Sequence, residues 1–89
     1  MRHKVKEKVV DLLELPEDIV LDLPKIEMIG NHQLRVENYK GIIEYSDEIV
    51  RLNAHQNMIT IRGTALVIRT MTVDEIILSG EISTVEFCR

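Results

Sequence analysis

Two hydrophobic periods divide this chain. Over residues 2–15, Val5, Val9, Leu12 and Leu13 fall at i, i+4, i+7 and i+8, one apolar stripe of a helix. Lys, Glu and Arg occupy much of the remainder and have good helix propensity. Pro16 ends the helix, because its ring pushes residue 15 toward extended geometry. From Ile26 onward the period is two. Strands are predicted near 26–29, 33–38, 41–46, 49–54, 58–62, 65–71, 75–79 and 81–87, with turns at 30–32, 38–41, 46–48, 55–57, 63–64, 72–74 and 79–80. Connections this short favour antiparallel pairing, since a parallel pair needs a long crossover. The expected fold class is mainly β: an N-terminal amphipathic helix, then an antiparallel meander of about seven or eight short strands. It would close as a small sandwich or an open barrel, with a short solenoid-like stack as the alternative.

Alternation assigns the inner faces. Leu34 and Val36, Ile43 and Tyr45, Val50 and Leu52, Ile59 and Ile61, Leu66 and Ile68, Ile76 and Leu78, Val85 and Phe87 share the buried side. The stretches 41–43, 65–68 and 75–78 are apolar on both sides, which suits cover by the N-terminal helix or by another protomer. A weak echo runs through the chain: "SDEIVRL" at 46–52 resembles "VDEIILS" at 73–79, and "ITIRG" at 59–63 resembles "IILSG" at 76–80. The two spacings disagree, which favours a meander over a true repeat. The expected organisation is a single domain over 1–89, with a basic helix at 1–15, an ordered connector at 16–25 and sheet from 26 to 88. The connector holds both prolines. Pro24 is placed at the start of the first strand, where a missing amide donor is tolerated.

Composition narrows the chemistry. Of 89 residues 45 % are hydrophobic, with no Trp and one Phe, so branched aliphatics must fill the core. The formal net charge of −4 argues against nucleic acid as a partner, since phosphate neutralisation drives such binding. The single Cys88 forms no internal disulfide and fits a cytosolic setting, and no apolar run is long enough for a membrane-spanning helix. His3, His32 and His55 lack metal-ligand spacing. The serines have no nucleophile elbow, and Cys88 has no cationic setting beyond Arg89. The pairs Asp47–Glu48 and Asp74–Glu75 precede strands, where neighbouring side chains diverge, so turn formation explains them better than catalysis. Gly30, Gly41, Gly63 and Gly80 fall at turns or strand starts, where glycine supplies positive φ. No catalytic, metal or cofactor residue is expected, and no enzyme activity.

One segment keeps a functional alternative. Arg2, Lys4, Lys6 and Lys8 sit at the helix N-terminus, against the macrodipole, so helix stability does not explain them. They are the candidate contact to a membrane surface or a partner. The helix can lie on an anionic membrane, or pack its stripe on the sheet and leave the cations in water.

"LDLP" at 21–24, "MIGN" at 28–31, "LRVEN" at 34–38, "GI" at 41–42 and "YSDEIVRL" at 45–52, with "ITIRG" at 59–63 and "DEIILSG" at 74–80, resemble the YabP/YqfC family of sporulation proteins, the YqfC branch in particular. The resemblance spans nearly the whole chain. It implies a protein made in the mother cell of an endospore-forming bacterium, cytoplasmic or peripheral at the forespore membrane. It also implies a membrane-anchored partner, the sporulation protein YqfD; self-association is expected separately, from the strands that are apolar on both sides. The family supplies no catalytic motif. What carries over is a skeleton of Leu21, Pro24, Gly30, Asn31, Asn38 and Gly41, read as structural. Against this interaction or assembly role stands a small-ligand- or saccharide-binding β domain, for which Tyr39, Tyr45 and Phe87 are the only aromatic groups.

Overall fold

The structure is a computed structural model that describes residues 23–89. The predicted helix, its cations Arg2, Lys4, Lys6 and Lys8, and Leu21 lie outside the described residues. Among the described residues are six strands: β1 (Lys25–Ile29), β2 (Gln33–Glu37), β3 (Gly41–Tyr45), β4 (Ile49–Asn53), β5 (Met58–Met71) and β6 (Glu75–Cys88). They form one open antiparallel sheet in the order β1-β2-β6-β5-β4-β3.

Two expectations change. Six strands replace seven or eight, because 58–62 and 65–71 run together as β5, and 75–79 and 81–87 as β6. The glycines there are sites of close backbone approach inside continuous strands, not turns. The connectivity is also not a simple meander. β3 to β6 follow one another, but β2 pairs with β6 rather than β3.

Each long strand has two arms with different neighbours. The first arm of β5 lies between β4 and the second arm of β6, and the first arm of β6 lies between β2 and the second arm of β5. The sheet is therefore two four-stranded halves joined through one long hairpin. The halves are related by an internal two-fold. Leu34 pairs with Leu78 where Val50 pairs with Ile61, and Val36 pairs with Ile76 where Leu52 pairs with Ile59. Even the hydrogen bonds at the bend match. Gly80 N–H donates to the His32 carbonyl at 3.1 Å, as Gly63 N–H does to Glu48 at 3.0 Å. Ile82 donates to Asn31 and Leu66 to Asp47, each at 2.8 Å. The echo of 59–63 in 76–80 thus marks a real structural repeat. The echo of 46–52 in 73–79 joins non-equivalent strands and marks none.

Bulges keep the apolar residues on one side. In β5 the inward set changes from Ile59 and Ile61 to Leu66 and Ile68, across register shifts between Arg62 and Val67. In β6 it changes from Ile76, Leu78 and Ile82 to Val85, across the skipped Ser83. An uncompensated one-residue slip would turn each second arm's apolar set outward. The result is one core cluster holding Leu34, Val36, Val50, Leu52, Ile59, Ile61, Leu66, Ile76 and Leu78, each at most 1 % exposed, with Ile26, Ile68 and Val85 packed at its margin. Thr60 is the buried polar residue on the opposite face, between Arg51 and Glu86.

The bend needs two glycines. A methyl group on Gly80, whose φ is +138°, would sit 2.7 Å from the Ala65 carbonyl oxygen. One on Gly63 would collide with the Glu81 carbonyl oxygen. Ala65 itself takes φ 54°, a strained value for a residue with a Cβ. Positive φ is found at Gly30 and Gly80 but not at Gly41 or Gly63, so the expected role of turn glycine fails at those two. The acidic pairs do lie at turns, as expected, but hydroxyl groups organise those turns. In the β3–β4 turn the Ser46 hydroxyl accepts the amides of Glu48 (3.2 Å) and Ile49 (3.1 Å). In the β5–β6 turn the Thr72 hydroxyl accepts the Glu75 amide at 3.1 Å. Hydroxyl groups, rather than the aspartates, hold those amides.

Candidate interaction edges

The sheet ends in four strand edges without a partner strand among the described residues. They are β1, β3, and the second arms of β5 and β6. Each half carries two inward rows across its four strands. One half has Met28–Leu34–Leu78–Ile68 and Ile26–Val36–Ile76–Met71. The other has Tyr45–Val50–Ile61–Val85 and Ile42–Leu52–Ile59–Phe87. The central two members of every row are fully buried, whereas Met28, Met71, Tyr45, Ile42 and Phe87 at the ends are exposed. The core side of the sheet thus runs out to its margins as apolar surface beside unpaired backbone, the arrangement that strand addition uses. Tyr45 and Phe87, expected inside, belong to the inward rows but lie at these edges. Ile43, also expected inside, is exposed in the β3 bulge between Ile42 and Glu44.

The opposite face is charged. Arg35 ties three strands together: it binds Glu27 on β1 through a short hydrogen-bonded ion pair and approaches Glu75 on β6 at 3.8 Å and Glu37 at 4.0 Å. Its counterpart Arg51 reaches Glu44 on β3 at 3.4 Å, and Arg62 reaches Glu86 at 3.6 Å. The hydrogen bond from Arg35, then its charge, holds the Glu27 carboxyl below the usual range, and the same bond raises the guanidinium. These pairs are solvated, so each contributes little to stability.

One opening between the halves is closed by a residue expected in a turn. Tyr39, 6 % exposed, follows β2 and donates its hydroxyl to the Thr72 carbonyl at 2.7 Å, while Asn38 N–H donates to Asp74 at 2.7 Å. Burial, then the Asp74 charge, pushes the Tyr39 phenol upward. Beside it lies an open cleft of about 430 Å³ whose lining includes Tyr39, Ile42, Met71, Thr72 and Val73 and one charged residue, Lys40. A lone tyrosine between a strand and a glycine gave no periodic signal; the only hint was its bulk beside Asn38. By the internal two-fold its counterpart is Leu23, which is 53 % exposed.

The skeleton residues do not converge on a site. Pro24 directly precedes β1. Gly30, at φ 52°, and Asn31 form the β1–β2 turn, where the Asn31 carbonyl receives Ile82. Asn38 adopts φ 65°, a left-handed value that Asn tolerates, and its side-chain amide donates to the Leu23 carbonyl at 3.1 Å. Gly41 opens β3, and a Cβ added there would meet nothing within 4 Å. Among the described residues no group of three or more His, Cys, Asp or Glu could hold a metal ion, and no helix is long and apolar enough to cross a membrane.

Sheet order, bent hairpin and apolar edges together define a small antiparallel β domain with a duplicated architecture. The chain belongs to the YabP family, whose model matches residues 22–89. It is similar to the Bacillus subtilis (strain 168) protein designated Uncharacterized protein YqfC, 34 % identical over 86 residues that cover 97 % of this chain and 92 % of that protein. No solved structure matches it.

Proposed function

We propose that this chain is a non-enzymatic interaction and assembly module used in sporulation, in the mother cell of an endospore-forming bacterium. The observation that carries this reading is the apolar margin at the ends of all four inward rows, beside unpaired strand backbone. Membership of the YabP family supports the sporulation setting. Its partners are further copies of itself and a membrane-anchored sporulation protein of the YqfD kind. The sheet edges supply main-chain pairing, and Arg2, Lys4, Lys6 and Lys8 hold the domain beside that partner or the forespore membrane. The test is a pull-down from sporulating cells, with and without residues 1–15. Recovery of a membrane protein by the full chain supports the reading, and its loss on deletion assigns the contact to the basic segment. A chain that recovers no partner and stays monomeric refutes it.

A second reading rests on the cleft beside Tyr39, which is large enough for a small ligand and mainly apolar. A thermal-shift screen of cell-wall fragments and metabolites tests it. Stabilisation abolished by Met71→Lys would favour it over assembly.

A further inference from the structure

Resting on the assembly reading, the geometry points to β1 as the edge that recruits a second copy of this chain. The two copies pair antiparallel across a two-fold axis at Ile26, with Lys25 of each opposite Glu27 of the other.

The four edges are not equal. β3 is interrupted by its bulge at Ile43, and the second arm of β5 by a register shift between Ile68 and Thr70. Bulged edges make poor templates for another strand. β1 keeps an unbroken register from Lys25 to Ile29, and the second arm of β6 is likewise regular from Arg62↔Thr84 to Met58↔Cys88. Charge separates these two. Over 83–88 β6 offers one carboxylate, Glu86, already paired with Arg62, and no Lys or Arg, so self-pairing there gains no opposite charges. β1 alone carries both signs, as Lys25-Ile26-Glu27. Reversed against itself about Ile26, that order is self-complementary.

The same register resolves two exposed side chains. On the outer face Leu23, 53 % exposed, comes opposite Ile29 of the second copy, itself 68 % exposed. On the inner face Ile26 meets Ile26 across the axis, extending the row Ile26–Val36–Ile76–Met71 into a second core. Met28 comes opposite Pro24, whose missing amide donor is tolerated at the end of a strand. Arg35 engages Oε1 of Glu27, so the carboxylate can accept the incoming ammonium through its second oxygen. Among the described residues the internal two-fold leaves this margin open. Tyr39 closes the equivalent margin beside β3, whereas its counterpart Leu23 stays exposed. An edge of this length buries less than the roughly 1,200 Å² of a stable interface, so the dimer is weak and concentration-dependent.

Sedimentation velocity of the full chain over a wide concentration range tests this. A monomer–dimer equilibrium is expected. Lys25→Glu and Glu27→Lys each place like charges in both cross-strand pairs, and each weakens association about tenfold. An equimolar mixture of the two variants recreates both opposite-charge pairs and restores association. Far-UV circular dichroism checks that each variant keeps its sheet. As a second readout, β1 amides gain hydrogen-exchange protection in wild type as concentration rises. A chain monomeric throughout, a dimer indifferent to both reversals, or a mixture no tighter than its components would each overturn the proposal. Membrane-protein recovery in the pull-down would leave the broader assembly reading standing in all three cases.

Discussion

The bend of the β5–β6 hairpin is where a single methyl group should do most damage. Gly80→Ala forces a Cβ to 2.7 Å from the Ala65 carbonyl oxygen and 3.0 Å from Leu66 Cα, at a φ of +138°. Backbone strain of that kind costs about 1–3 kcal/mol, and relieving the contact means moving main chain rather than a flexible side chain. Gly63→Ala meets the Glu81 carbonyl more closely still, so the strands must part where Gly63 opposes Ile82 and Thr64 opposes Glu81. Each buried backbone group left unsatisfied there costs about 1–3 kcal/mol. Both variants should lose about 3–5 kcal/mol, a large share of the roughly 5–15 kcal/mol that stabilises a small domain. Gly41→Ala is the internal control. Nothing lies within 4 Å of its added methyl, so a change within about 0.5 kcal/mol is expected. Urea unfolding followed by circular dichroism reads all three. With an m-value of about 1–2 kcal/mol/M, the bend variants should unfold at least about 1.5 M earlier than the control. Equal midpoints for Gly63→Ala, Gly80→Ala and Gly41→Ala would refute the close-approach argument.

Other predictions rest on local features. Ala65→Gly should raise stability by about 0.5–1 kcal/mol in the same assay, because glycine relieves the positive φ of 54° and gives back only part of that as chain entropy. Tyr39→Phe should cost about 0.5–1.5 kcal/mol through the lost bond to Thr72. It should also remove a titration seen by ultraviolet absorbance above the phenol's ordinary value of 10.0. Because the folded Tyr39 pKa is raised, its contribution is complete below the unfolded value and lost as pH rises through the folded one. Glu27 behaves in the opposite sense. Its folded pKa is depressed below 4.5, so its contribution is complete above that value and lost as pH falls through the folded pKa. Because the pair is solvated the effect on stability is small, so the check is an NMR titration of the Glu27 carboxyl, where Arg35→Gln should return it toward the usual range; no change on that substitution would count against the Arg35 pair.

The strands were legible because their buried residues alternate. Leu34 and Val36, Val50 and Leu52, Ile59 and Ile61, Ile76 and Leu78 all lie where period two puts them. Bulges were not legible. Gly63 and Gly80 read as turns because glycine usually means positive φ, whereas at Gly63 it means the nearness of another backbone. That one substitution of cause split two long strands into four. The neighbour of β2 was hidden for a different reason. Local alternation fixes which way side chains face, but the choice of β6 over β3 depends on which apolar rows complete each other across the chain. The repeat was obscured by a single residue: sixteen residues separate Leu34 from Val50, but seventeen separate Ile61 from Leu78. The candidate edges were partly visible as stretches apolar on both sides, although Tyr39 and the regularity of β1 became apparent only with the pairing in hand.

A duplicated sheet constrains its two halves unequally. Central row positions face the shared core from both sides, so an aliphatic side chain is required at Leu34 and at Val50, at Val36 and at Leu52, at Leu78 and at Ile61. Edge positions face the core on one side only and solvent on the other, which leaves room for the halves to diverge. They diverge in one direction. The β3 margin gains a bulge at Ile43 and the closing hydroxyl of Tyr39. The β1 margin keeps a straight strand, opposite charges two residues apart, and exposed Leu23 and Ile29. Both margins carry devices that blunt an exposed edge: the bulge and Tyr39 beside β3, and Pro24 with the charges of Lys25 and Glu27 on β1. The β1 charges differ in being self-complementary, so under the proposal above they refuse other strands while admitting a second copy.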